Sequence, residues 1–273
     1  MSLRINSNTA AFNAYRNLTI NDGALSKSLE KLSSGFRVNR AADDAAGLIK
    51  SESLRADIRG LGQAVKNAQD GISFVQTAEG ALVEVHAILQ RMNELAVSAA
   101  NTATSDGAAE QAEVTQLLTQ LGEIGSQTRF AGIDVFSATA QTFHIGSDAG
   151  ETIDVTVGIL TTASVGADAV DISGIDLTAA GGANTAITTI GNAIDSVSST
   201  RGDLGAIQNR LEHTVRNLQV SVENLSASES RIRDTDMAAE MAMFTRNQIM
   251  LQAGTAMLAQ ANAVPQNVLS LLR

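Results

Sequence analysis

From Ile187 to Ile232 the chain repeats a three-four spacing: Ile187, Ile190, Ile194, Val197, Arg201, Leu204, Gln208, Leu211, Val215, Leu218, Val222, Leu225, Glu229, Ile232. Eleven of these fourteen positions are apolar. Alternating steps of three and four hold one stripe of a helix on one side, and a stripe kept over so many turns belongs to coiled-coil or bundle packing. At 1.5 Å per residue the segment makes a helix about 69 Å long. Such a helix cannot cover its own stripe, so the rest of the chain must supply partners.

Upstream, Leu54, Ile58, Leu61, Val65, Ala68, Ile72, Val75, Glu79, Leu82, His86, Leu89, Asn93 and Ala96 follow the same spacing, with Asp43 or Asp44 placed to cap the start. A third segment, about 108–128, carries Val114, Leu117, Leu118, Leu121 and Ile124. The three predict a mainly α fold, an elongated antiparallel bundle or coiled-coil rod. Between them, residues 137–185 change character. "TFHIG" and "TIDVTV" alternate and flank "SDAGE", which predicts a β-hairpin; the Gly-, Ala- and Thr-rich stretch after it reads as loops around a short strand.

The two ends read as further helices. Near the start, Ala11, Tyr15, Leu18, Asp22, Leu25, Leu29 and Leu32 form a stripe that begins near Ser7 or Asn8 and stops at Ser34-Gly35. Residues 236–272 are rich in Ala, Met and Gln, and Pro265 is expected to kink them or open a new turn. Charge separates the ends from the middle: residues 1–41 carry +4, residues 235–273 carry 0, and residues 42–234 carry −14. The division predicted is a terminal-helix domain of 1–41 plus 235–273, and a helical rod domain of 42–234 with a β region at about 137–185.

Residues 247–272 hold no charge, and the last of them, "VPQNVLSLL", are strongly apolar. Seven amides in that stretch make a membrane span costly, so a face buried against protein is expected instead of membrane insertion. "MSLRINSNTAAFNAYRNL" has no apolar core of the kind a cleaved secretory signal needs.

No catalytic chemistry is expected. His86, His144 and His213 stand far apart, there is no cysteine, and no nucleophile elbow, phosphate loop or zinc-helix motif occurs. Neither a cofactor nor a metal is expected. The net charge of −10, and basic residues (Arg4, Arg16, Lys27, Lys31, Arg37, Arg40) with few aromatics among them, argue against a nucleic-acid partner. Long seams and ends with uncovered apolar surface describe an assembly subunit, whose head-to-tail contacts build a helical filament when they do not close.

Several stretches resemble bacterial flagellin: "LEKLSSGFRVNRAADDAAGL", "AQDGISFVQTAEGAL", "QTRFAGIDVF", "FHIGSDAGETIDV" and "RDTDMAAEMAMFTRNQIMLQAGTAMLAQAN". Together they span about 1–160 and 184–273, so the chain is similar to a minimal flagellin without large outer domains. The resemblance implies a structural subunit of the swimming filament. Its terminal segments order and pair as a coiled coil on assembly, using Leu18, Leu25, Leu29, Leu32, Met250, Met257, Val268, Leu269 and Leu272 here.

The resemblance also implies partners. These are other copies of the chain, the flagellar export apparatus and an export chaperone, and the filament cap and hook–filament junction proteins. It implies release to the extracellular filament without a cleaved signal peptide, and a hairpin at about 142–157 engaged in switching between helical forms. In the family a stretch like "LQRMNELAV" docks on the animal Toll-like receptor 5; the matching positions are Gln90, Arg91, Glu94 and Leu95, with Glu113 from the next helix. The hook–filament junction protein, which shares terminal helices, is the nearest alternative.

Overall fold

The computed structural model describes residues 8–101, 107–166, 168–179 and 181–271, with backbone alone over 265–271. Five helices, α1 (Thr9–Ser34), α2 (Ala45–Ala99), α3 (Ala108–Gln127), α4 (Gly182–Arg233) and α5 (Met237–Leu271), carry the chain. Between α3 and α4 lie six short strands: β1 (Arg129–Phe130), β2 (Ile133–Asp134), β3 (Gln141–His144), β4 (Thr152–Val155), β5 (Ile159–Thr161) and β6 (Ser164–Gly166). They pair two by two, each antiparallel. The chain folds as two compact units: residues 1–56 with 224–273, and residues 57–223. α2 and α4 contribute to both.

In the unit of residues 57–223, α2 lays its stripe against α4. Gly71 of α2 and Leu211 of α4 meet so closely that a Cβ on the glycine would lie 3.3 Å from Leu211 Cδ1. The buried line on α2 runs Ala64, Ala68, Gly71, Val75, Ala78, Leu82, Val85, Leu89, Met92, Ala96 and Ala99. Its small members let the helices approach. A second buried stripe, Phe74, Ile88 and Leu95, broadens the core. The seam positions Glu79, His86 and Asn93 fall to its half-buried edge, where Glu79 meets Arg201 at 3.7 Å.

α3 covers the same core with Val114 and Leu121 buried. Its Gly125 is held against the Leu160 carbonyl of β5, where any Cβ would collide. β3 and β4 form the expected hairpin in the register Gln141↔Val155 to His144↔Thr152. β1 and β2 are joined through Ala131 and Gly132, both at positive φ (50° and 85°), as a two-residue turn of matching twist requires. Phe130 and Phe143 from these hairpins pack on Phe74, with ring centroids 5.9 and 5.7 Å away. The Gly-rich stretch before α4 is pinned by Gln111, which donates to the Ile175 carbonyl at 3.1 Å and accepts from the Leu177 amide at 2.7 Å. By composition α2 is long and apolar enough to cross a membrane. Its largest apolar side chains, from Phe74 through Leu82 and Leu89 to Met92, are core residues of this unit.

In the other unit, α1 and α5 pair antiparallel. Asn8 caps α1 by accepting from the Ala11 amide, and its side-chain NH donates to the Ala261 carbonyl at 2.8 Å. Gly35 ends α1 at φ 75°, donating to the Lys31 carbonyl. Asp44, rather than Asp43, caps α2: its Oδ1 accepts from the Gly47 amide at 2.9 Å. α5 runs on through Pro265 instead of stopping before it.

Candidate interaction surfaces

The terminal pair is joined by a strict three-four seam that shares Ala11, Leu18, Leu25 and Leu32 with the stripe expected for α1. The positions turned toward α5 are Ala11, Ala14, Leu18, Asn21, Leu25, Ser28 and Leu32. They meet Glu240, Phe244, Asn247, Leu251, Gly254, Leu258 and Ala261 of α5. Tyr15, Asp22 and Leu29, placed on the stripe by sequence, lie one position off it and are exposed. Leu18, Leu25, Leu32, Phe244, Leu251 and Leu258 alternate along this seam with small and polar residues. Leu18 reaches Gly254, and Glu240, almost fully buried, lies 3.8 Å from Lys31.

Further bulky apolar residues point away from the seam. On α1 these are Phe12 (71% exposed), Tyr15, Ile20 and Leu29 (58%). On α5 they are Met237, Met241, Met243, Ile249, Met250, Met257 (64%) and Val264. Of the residues assigned to assembly, Leu18, Leu25 and Leu32 thus sit in the intrachain seam, and Leu29, Met250 and Met257 face outward. Val268 and Leu269 have backbone positions only, and Leu272 lies outside the described residues. Phe12, Ile20 and Ile249 escaped the sequence reading, whereas the α5 methionines already stood out in it as a run suited to a partner surface. The signal for the three was the same: large apolar residues beside a seam that other residues had already filled.

A clamp that sequence did not reveal ties the two ends together. Phe36, just after α1, bridges to Asp234, just after α4. The Arg37 amide donates to the Arg233 carbonyl at 2.6 Å and the Thr235 amide to the Gly35 carbonyl at 3.0 Å. The Arg233 guanidinium stacks 4.7 Å over the Phe36 ring and bonds Glu52 at 2.8 Å. That bond is the main reason the Glu52 carboxyl is held below its ordinary range. Nearby, the Arg40 amide and then the Lys27 ammonium hold the Asp43 carboxyl low in the same way.

On the other unit, Arg91 donates from Nε to Glu113 at 2.8 Å and from Nη1 to Glu94 at 3.2 Å. These carboxylates, Glu113 foremost, push the guanidinium pKa further up, so it stays charged. Gln90 is exposed and bonds the His86 ring at 3.0 Å. Leu95 is buried beneath them. The structure therefore brings Gln90, Arg91, Glu94 and Glu113 together on the surface across α2 and α3, and places Leu95 in the core under that patch. Among the described residues no three His, Asp or Glu side chains converge to hold a metal ion.

The chain matches the family model of the bacterial flagellin N-terminal helical region over residues 5–141 and that of the C-terminal helical region over 187–272. The flagellin of Bacillus subtilis is 47% identical, over 99% of this chain and all of its own length. That of Halalkalibacterium halodurans is 50% identical, over 98% of this chain and 99% of its own. This chain belongs to the bacterial flagellins. A putative flagellar hook-associated protein from Vibrio parahaemolyticus superposes with a TM-score of 0.57, over 70% of this chain and 100% of that one, at 14% identity. That likeness speaks for the fold alone, and nothing in the matches favours the hook–filament junction reading.

This flagellin is a structural protein, not an enzyme. It polymerises into the helical flagellar filament of the swimming bacterium, outside the cell.

Proposed function

We propose that the filament's inner contacts are made by the outward faces of α1 and α5, while the seam between them only sets their register. The supporting observation is that large apolar side chains lie exposed on the outer faces of α1 and α5, beside a seam already closed by Leu18, Leu25, Leu32, Phe244, Leu251 and Leu258. Leu18, Leu25 and Leu32 lock the pair, Leu29, Met250 and Met257 meet neighbouring copies, and Val268, Leu269 and Leu272 extend that contact. In these terms residues 1–41 and 235–273 are the assembly layer and 42–234 the rod. Ordering a residue costs about 1–2 kcal/mol, and neighbours that cover the outer faces of α1 and α5 help to offset that cost.

The same reading takes the chain out through the export apparatus without a cleaved signal, with the α5 face held by an export chaperone. It meets the junction and cap proteins at the two ends of the filament. The patch of Gln90, Arg91, Glu94 and Glu113 is assigned to Toll-like receptor 5, with buried Leu95 supporting it from below.

Seeded polymerisation of purified monomer tests the assembly role. Phe12→Gln with Ile249→Gln, and separately deletion of 264–273, are expected to leave the rod's thermal melt unchanged and to stop growth on filament seeds. Normal growth of either variant would overturn the assignment.

A further inference from the structure

We propose that α5 carries a site of oxidative modification, the methionines Met237, Met241, Met243, Met250 and Met257. We further propose that their conversion to sulfoxides by peroxide in the unassembled subunit blocks its entry into the filament. The coupling to assembly rests on the reading that the outward face of α5 is buried between copies.

The distribution of methionine is the observation. Of the seven in the chain, Met1 lies outside the described residues, Met92 is fully buried in the core, and the other five are all exposed on α5. None belongs to the seam with α1, so packing inside the chain does not account for them. Met243, Met250 and Met257 recur every seven residues and form, with Val264, one stripe running alongside that seam. Methionine suits a face that must adapt to several neighbours, because its side chain is unbranched and polarizable. The same thioether is the oxidisable group.

The step balances without a cofactor. A sulfur lone pair attacks one oxygen of hydrogen peroxide, the O–O bond breaks and an S–O bond forms. The departing hydroxide takes up the proton from the transferred oxygen and leaves as water. Sulfur is oxidised by two electrons and peroxide is reduced. The product is a polar, chiral sulfoxide whose oxygen demands a hydrogen-bond donor. Burying it against an apolar neighbour leaves that demand unmet. Met92, fully buried in the core, serves as an internal control. In the filament the α5 methionines are covered, so the modification reads the subunit before it is added and spares the one already placed.

The experiment uses full-length monomer treated with graded hydrogen peroxide, peptide mass spectrometry to count oxygen gained at each methionine, and seeded polymerisation. The five α5 methionines are expected to oxidise at least tenfold faster than Met92. The fully sulfoxidised monomer is expected to extend seeds at least tenfold more slowly, with the melt of residues 57–223 unchanged. Treatment with methionine sulfoxide reductases of both epimer specificities is expected to restore growth. A variant with all five changed to leucine is expected to be indifferent to peroxide. Oxidation of Met92 as fast as the rest, or failure of the reductases to restore growth, would overturn the proposal. If Ile249→Gln blocks assembly but sulfoxidised monomer grows normally, the inference fails and the assembly face stands. If both grow normally, the assembly face itself is wrong.

Discussion

Leu211→Ala removes most of a fully buried side chain from the contact between α4 and α2. Across from it stands Gly71, which offers no side chain, and a Cβ there would already be 3.3 Å from Leu211 Cδ1 and from the Phe143 ring. Gly71 has no side chain to swing into the space that Leu211 leaves, so little can move in to fill the gap. Core Leu→Ala changes cost about 2–5 kcal/mol, the larger values where the site cannot collapse, so about 4 kcal/mol is expected here. For a unit of this size 1 kcal/mol moves the melting temperature by about 2–4 °C, which gives a fall of roughly 8–16 °C. Circular dichroism melts of the monomer measure it. The comparison is Leu29→Ala, on the exposed face of α1. It should change the melt by no more than about 0.5 kcal/mol while slowing growth on filament seeds. Equal shifts from the two substitutions, or a Leu211→Ala shift of only a degree or two, would refute the division into a self-sufficient core and a neighbour-dependent face.

Gly125→Ala should destabilise the monomer by about 1–3 kcal/mol in denaturant titration. The new Cβ meets the Leu160 carbonyl, and the gain of about 1 kcal/mol in helix propensity does not offset that collision. Arg233→Ala strips the guanidinium from Phe36 and Glu52 together and should cost about 1–3 kcal/mol by thermal melt; Arg233→Lys should not rescue it, because an ammonium neither stacks flat nor forks. Asp43 has a folded-state pKa below its ordinary 3.8, so its contribution is present above that value and is lost as pH falls through the lowered one. Asp43→Asn should flatten that part of the acid limb of the melt. In a receptor-reporter assay the monomer should activate Toll-like receptor 5 and Arg91→Ala should lose at least tenfold in potency, about 1.4 kcal/mol; a silent wild type would remove the assignment.

The helices and the long hairpin were legible because their signals are periodic over many residues: three-four steps on α2, α3 and α4, alternation on β3 and β4. The two shorter hairpins were not, since strands of two or three residues carry no period. The α1 stripe was read correctly at Ala11, Leu18, Leu25 and Leu32, and one position away at Tyr15, Asp22 and Leu29. Those three recur every seven residues just as Ala14, Asn21 and Ser28 do, and a stripe drawn through larger side chains chooses the wrong set. On α2 the single period that was followed ran through Glu79, His86 and Asn93 and passed over their neighbours Ala78, Val85 and Met92, which are buried in the core. The surface patch was legible only through the flagellin resemblance, which picked out Gln90, Arg91, Glu94, Leu95 and Glu113 together. Leu95 lies seven residues from Ile88, and the two share a buried stripe. The clamp of Phe36, Arg233 and Glu52 left no trace, because its members lie in three distant parts of the chain.

The bond from Asn8 to Ala261 joins residues 253 apart in sequence. Loop-closure entropy grows with the logarithm of the loop, and contacts of high order form slowly. The β3–β4 hairpin closes across a short turn, α3 follows α2 directly, and pairing α2 with α4 already shortens the distance the two ends must search. Kinetically, then, the terminal pair is the last piece to form and the first to open. On the proposed assembly role, the contact that closes last within a subunit is also the one whose outer faces receive the next.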